Sequence, residues 1–280
     1  MTRHSVTNRS MWTGVAIIAA LVCAALGAPW LAPYDPRLID PARAFAPPSV
    51  RFLLGTDDLG RDILSRLLYG ARWSLGLVSV ATLLVLSVGV SVGALAGYLG
   101  GVVDDVLMRI VDALLAVPSL LLALAIIGMV GPGLTGMMLG LSSIWWVGYA
   151  RVVRGLVLAL RERPFVDAAR ALGVSHTAIV SRHILPSVLP AVAVLASLEM
   201  GELVLAISGL SFLGLGAQPP TPEWGTMLSD ARVHFFDAPR LVLLPGLAVM
   251  LTVLGFNLVG DGLRDALEPE QASKLRGVGT

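Results

Sequence analysis

An all-α protein that crosses a membrane six times is the fold class this sequence predicts, and three observations carry that reading. Hydrophobic residues fill 56% of the 280 positions and charged residues only 14%. Mean hydropathy is +0.81, far above that of a soluble domain. Six runs nearly free of charge are long enough to cross ~30 Å of hydrocarbon as helices of ~20 residues. They fall at about 12–32, 74–99, 111–131, 133–150, 188–215 and 241–260.

The first run follows Arg3 and Arg9 as a signal peptide would. Its apolar stretch continues through Leu31 without a small-x-small cleavage site, so it is read as a retained helix closing a segment 1–33. Residues 34–73 form an extracytoplasmic segment in which Asp35, Asp40, Asp57, Asp58 and Asp62 stand among six arginines. Residues 74–262 are expected to form a five-helix core and 263–280 a cytoplasmic tail. Within that core, Gly89, Gly93, Gly97, Gly136 and Gly140 permit close helix approach, while Pro118 and Pro245 permit kinks. Asp104, Asp105, Arg109 and Asp112 cluster at the inner end of the third span, where Arg109 can pair with Asp105 or Asp112. Trp145 and Trp146, placed near the inner end of the fourth span, and Trp12 at the start of the first fit an aromatic belt.

Glu199 and Glu202 lie three apart on the fifth helix, hence on one face. A carboxylate at that depth costs about 2.5–3.5 kcal/mol on insertion scales, so neither is expected to face lipid. They are candidates for lining a polar path and holding a ligand's ammonium or backbone there, beside the alternative of a hydrogen-bonded structural pair. The outer loop 216–240 holds Pro219, Pro220 and Pro222 and is too proline-rich for a long helix. With Glu223, Trp224 and Gly225 it is a candidate ledge for a soluble partner protein.

Orientation follows from the nineteen arginines and single lysine. With both termini inside, twelve of these twenty cations fall on the inner face and eight outside, a bias toward that topology. The net charge of +1 gives no reason to expect a nucleic-acid partner. Cys23 stands alone, so one chain builds neither a disulfide nor a thiolate metal site. A nucleotide-binding P-loop needs a Gly-Lys-Ser/Thr step, and Lys274 sits in Ser-Lys-Leu instead. HExxH and G-x-S-x-G are absent, and the four histidines are scattered, so no catalytic residue, metal site or bound cofactor is expected in this chain.

The inner loop 151–187 has a readable shape. Pro164 suits a first helical turn, Phe165, Ala168, Ala169 and Leu172 recur at helical spacing, and Gly173 is placed for a left-handed cap. Ser175 can then cap a second short helix running to Pro186. The pair makes a compact knob that Asp167, Arg170 and Arg182 can orient by charge.

Asp167-Ala168-Ala169, three residues, Gly173, then Leu185-Pro186 resembles the EAA loop of ATP-binding-cassette (ABC) importer permeases, with Asp in place of Glu. Gly55-Thr56-Asp57-Asp58-Leu59-Gly60-Arg61-Asp62 with Ser65-Arg66 and Gly70-Ala71-Arg72-Trp73-Ser74-Leu75 is similar to the outer segment of C-type permeases of dipeptide, oligopeptide and nickel importers. Leu210-Ser211-Phe212-Leu213-Gly214-Leu215-Gly216, Pro219-Pro220 and Glu223-Trp224-Gly225 resemble the end of their fifth span and the loop after it. Asn257, Gly260-Asp261 and Leu263-Arg264-Asp265 resemble their closing motif, where Glu268-Pro269 replaces Asp-Pro.

The resemblance implies a type I ABC importer permease fold with a MetI-like core. It implies that Asp167, Ala168, Ala169, Arg170, Gly173, His183, Leu185 and Pro186 dock on a cytoplasmic ATPase. It further implies a homologous B-type permease subunit, two ATPase subunits that bind MgATP, an extracytoplasmic substrate-binding protein, and an inner-membrane location. Di- or oligopeptide import is the expected function, with a nickel chelate or glutathione-type cargo as the alternative. An ion-coupled secondary transporter would need no ATPase and lacks a detectable inverted repeat here.

Overall fold

The computed structural model describes residues 3–267, with side chains from residue 9 onward. Glu268, Pro269, Lys274, Arg276 and the rest of the expected tail lie outside the described residues, as do the side chains of Arg3 and His4. The described chain is helical and builds no strand, only an isolated antiparallel bridge between Thr56 and Asp62. The long helices are α1 (Arg3–Leu31), α2 (Ile63–Leu99), α5 (Leu134–Arg161), α8 (Leu185–Phe212) and α10 (Arg240–Leu267). Shorter ones are α3 (Gly101–Leu115), α4 (Ser119–Val130), α6 (Pro164–Ala171), α7 (His176–Ile179) and α9 (Trp224–Ala231). Five stretches are long and apolar enough to span a bilayer, and α3 with α4 supplies a sixth.

That sixth span, expected over 111–131 with a kink permitted at Pro118, begins at Gly101 and is broken into two helices. α3 and α4 meet at 88°. Pro118 lacks the N–H that would continue α3 and biases Val117 away from helical dihedrals. Pro118 becomes the N-cap of α4 at ψ 124°, its carbonyl accepting from Leu121 and Leu122. The acidic cluster on α3 pairs across helices rather than along its own. Asp112 meets Arg151 at 2.5 Å, and Asp104 takes a two-pronged hydrogen bond from Arg154.

α2 starts at Ile63, eleven residues before the expected Ser74. Asp62 caps it, Oδ2 accepting from the Ser65 N–H at 2.8 Å and the Ser65 hydroxyl at 2.7 Å. α5 continues to Arg161, so Trp145 and Trp146 lie mid-helix and pack on the core instead of marking a belt.

Glycine decides the closest packing. On α2, a Cβ at Gly89, Gly93 or Gly97 would come within 2.5–2.8 Å of a backbone carbonyl of α5. The four-residue spacing puts the three on one face, so α2 and α5 touch backbone to backbone, which is how helices gain contact where water offers no drive. α1 meets α10 the same way: added Cβ atoms would lie 2.7 Å from Leu258 Cβ at Gly14 and 2.4 Å from Met11 Cβ at Gly262. Between these seams Val78, Ala81, Leu141, Ile144, Leu203 and Ile207 fill the core.

Candidate functional site

The knob forms largely as its sequence demands. Pro164 opens α6, and Gly173 follows it at φ +77°. The Gly173 N–H donates to Arg170 O at 2.9 Å and the Val174 N–H to Ala169 O at 3.1 Å, the paired bonds of a left-handed helix stop. Ser175 caps α7, its Oγ accepting from the Ala178 N–H at 3.4 Å. The second helix does not stop at Pro186. The chain widens into a π turn over Val180–Ile184, in which the Leu185 N–H reaches Val180 O, and runs straight into α8. This wider turn accommodates Pro186, which has no N–H and whose ring would press on a carbonyl four residues back in a regular helix.

One side of the knob is locked and the other is free. Val166, Ile179 and Ile184 are fully buried with Val157 of α5 and Val188 of α8, each large side chain worth about 1.5–3 kcal/mol. Arg161 donates to Gly97 O at 3.2 Å and Tyr98 O at 3.4 Å, satisfying carbonyls at the end of α2. The Tyr98 hydroxyl meets His176 Nδ1 at 2.7 Å, and the Arg170 guanidinium stands 5.9 Å over the Tyr98 ring. Tyr98, Arg161 and His176 were not singled out in the sequence, because their contacts join three separate helices.

The free side carries Phe165 and Leu172, 44% and 84% exposed, with Asp167, Ala168, Arg170, Gly173, His183 and Pro186 also exposed. Asp167 and Arg170 pair at 3.2 Å. Ala169 points inward at 8% exposure, and Leu185 is half-buried.

Glu199 and Glu202 separate on α8. Glu199 is half-buried toward α5, where a Cβ at Gly148 would stand 3.7 Å from its Oε1, and its Oε2 is buried without a hydrogen-bond partner. Glu202 is exposed on the surface of the chain, and Gly201 between them faces the Asn257 amide oxygen across to α10.

At the opposite end, Glu223, Trp224 and Gly225 contradict their expected role as a ledge for a soluble protein. Glu223 is 0% and Trp224 1% exposed, and Gly225 is buried. The Ser74 hydroxyl donates to Glu223 Oε1 at 3.0 Å and the Thr226 N–H to Oε2 at 3.0 Å, so the carboxylate caps α9. Trp224 fills the space left by Gly70, its Nε1–H donating to Leu67 O at 3.2 Å. A Cβ at Gly225 would sit 2.3 Å from Ser208 O. The three residues seat the 216–240 loop on α2 and α8, so none of the three presents a side chain to a docked partner.

The 34–62 segment is fastened beside them. Asp57 takes hydrogen bonds from the Arg61 N–H at 2.8 Å and Nε at 2.6 Å. Arg61 and Arg66 reach Asp230 at 3.5 and 3.4 Å. Burial raises the Asp230 carboxyl above its ordinary pKa, against the pull of Arg66 and Arg61.

The family described as "Binding-protein-dependent transport system inner membrane component" matches residues 89–273. The chain belongs to this permease family. Residues 3–48 also match the N-terminal TM domain of oligopeptide transport permease C. The permease is 44% identical to the nickel transport system permease protein NikC of Escherichia coli, over 90% of this chain and 91% of that one. It is 43% identical to the dipeptide transport system permease protein DppC of Alkalihalophilus pseudofirmus, over 95% and 88%. Identity to the glutathione transport system permease protein GsiD of Pectobacterium atrosepticum is 42%, over 91% and 85%. In fold, the permease resembles a chain of the MetNI methionine ABC transporter in an inward-facing conformation, with TM-score 0.52 at 21% identity. That likeness covers 71% of this chain and 94% of the other.

Proposed function

We propose that this permease is one half of the pore of an ATP-driven importer of di- or oligopeptides in a bacterial inner membrane, with both termini cytoplasmic. The observation that carries the reading is the two-sidedness of the knob: Val166 and Ala169 hold α6 to the bundle while Phe165, Leu172 and the Asp167–Arg170 pair are exposed to solvent. Such a surface suits insertion into a groove of a soluble ATPase. The partners are a homologous B-type permease subunit, two cytoplasmic ATPase subunits and an extracytoplasmic substrate-binding protein.

The chain itself breaks no bond. MgATP is held by the ATPase subunits, whose closure draws the two permeases' knobs together and opens the pore outward; hydrolysis resets it. Glu202, exposed on a membrane-crossing helix, is unsuited to lipid and is assigned to the pore, where it offers a carboxylate to a peptide ammonium. Glu199, held between α8 and α5, backs it. Asp167, Ala168, Arg170, Gly173, His183 and Pro186 form the ATPase contact, with Ala169 and Leu185 supporting it from within.

The test is ATP-dependent uptake of labelled di-, tri- and pentapeptides into proteoliposomes containing the whole assembly. Peptide accumulation that vanishes on Gly173→Pro is the expected result. The similarity to nickel and glutathione permeases supports a second cargo reading, and nickel-chelate or glutathione uptake without peptide uptake would replace the first. Normal peptide uptake in the Glu199→Gln, Glu202→Gln double variant would remove these carboxylates from the cargo path.

A further inference from the structure

A cavity of about 1000 Å³ opens between the end of α1, the start of the 34–62 segment and the outer half of α2. None of the residues assigned to transport lines it. Its chemistry is layered. Val80 and Leu77 form an apolar floor on α2, Trp73 stands a turn above, and Arg72 with Arg37 and Asp35 forms a charged rim. From Val80 to Arg72 is about 12 Å along the helix. Below the floor, Leu83 and Leu84 continue the apolar track at 68% and 45% exposure. Beside the rim, α1 ends with Trp30 84% and Leu31 59% exposed, the aromatic and apolar finish expected where a span leaves hydrocarbon. The cavity therefore lies across the boundary between acyl chains and headgroups.

The rim is built to receive a ligand. Neither the Arg37 nor the Arg72 guanidinium forms an ion pair among the described residues. Asp35 accepts from the Arg37 N–H at 2.8 Å through Oδ1. The strap carrying both is rigid: Tyr34 donates its N–H to Ser65 Oγ at 3.1 Å and its hydroxyl to Arg51 O at 3.1 Å, and Pro33 and Pro36 bracket the Tyr34-Asp35 pair. Two unpaired cations, one carboxylate and an apolar track leading away match a single chemistry, an aminophospholipid.

The geometry points to a structural phospholipid site. The lipid phosphate sits on Arg72 and Arg37, its ammonium on Asp35, and its acyl chains along Leu77, Val80 and Leu84. Phosphatidylethanolamine of the outer leaflet meets all three demands, whereas phosphatidylglycerol offers nothing to Asp35. The site depends on the chain spanning a membrane, its assignment to the outer leaflet rests on the proposed orientation with both termini cytoplasmic, and neither depends on which cargo the chain carries.

The test is native mass spectrometry of the complete delipidated transporter titrated with phosphatidylethanolamine, phosphatidylglycerol or phosphatidylcholine. ATPase activity of the same samples shows that the assembly is intact. A Cβ at Gly76 meets nothing within 4 Å, so the indole of Gly76→Trp can enter the groove between the α2 floor and the rim and obstruct it. Gly76→Trp and the Arg37→Gln, Arg72→Gln pair are each expected to weaken retention of phosphatidylethanolamine about tenfold or more. Asp35→Asn is expected to remove the preference for phosphatidylethanolamine over phosphatidylglycerol. Unchanged occupancy in Gly76→Trp overturns the proposal. So does high-yield crosslinking of Gly76→Cys to the partner permease, which would put protein in the groove.

Discussion

The two ends of the bundle use the same pair of residues in opposite ways. At the α9 end, Asp57, Arg61 and Arg66 are 6%, 4% and 2% exposed, and they tie the 34–62 segment to Asp230, more than 160 residues away in sequence. At the α6 end, Asp167 and Arg170 form a pair at 3.2 Å with side chains 67% and 40% exposed. A buried pair is costly to break, because either partner alone is a stranded charge. An exposed pair contributes little and can be exchanged for a partner's charges without penalty. Sequence motif alone treats the two ends alike; burial separates an end held within the fold from an end left exposed.

Substitutions can break this contrast, beginning with the largest effect. Glu223→Ala strands the Ser74 hydroxyl and the Thr226 N–H inside the protein and is expected to destabilise by about 3 kcal/mol, read as a lower thermal midpoint of the purified assembly. A midpoint unchanged within error would mean that the loop is not seated by its carboxylate. Gly93→Val puts a side chain where a Cβ already lies 2.5 Å from Ala150 O, and about 2 kcal/mol of overpacking strain is expected. Unchanged stability would mean that α2 and α5 do not touch backbone to backbone at Gly93.

At the other end, Gly173→Ala meets no neighbour but must hold φ +77°, which costs about 1–2 kcal/mol locally. The expected outcome is uptake reduced more than the thermal midpoint. Asp167→Asn should change stability by less than about 0.5 kcal/mol and yet lower uptake; equal ATPase stimulation by loaded binding protein in wild type and variant would count against a docking role. The smallest effect concerns pH. Because burial raises the Asp230 pKa on folding, its protonated form is favoured in the native state. Its contribution to stability is therefore present in acid and is lost as pH rises through the folded value. Asp230→Asn should flatten that decline in pH-dependent melting.

What the sequence made legible was local or compositional. Six spans follow from hydrophobicity, and Pro164, Gly173 and Ser175 specify the knob because each acts on backbone within a few residues. What it hid depended on distant partners. Ser74 was the expected start of the second span, and the buried pairing of Arg66 with Asp57 and Asp230 that lets a charged residue sit inside the longer α2 joins residues up to 164 positions apart. Glu223 and Trp224 looked like an exposed ledge, since nothing near them in sequence announces the slot at Gly70 or the hydroxyl of Ser74. Pro118 was visible but its consequence was not: a proline permits a kink, and the 88° turn is fixed by the side chains that α3 and α4 find on α5.

The π turn at Val180–Ile184 leaves His176 to Phe212 as one uninterrupted rod of 37 residues, about 55 Å long. One end is part of the knob, Glu202 lies along it, and Ser208 and Ser211 near the far end bear directly on Gly225. A tilt of about 5° at the knob carries the far end by roughly 5 Å over such a length, enough to unseat one layer of side chains. If the knob is gripped as proposed, a small tilt there would be felt at the Gly225 seat.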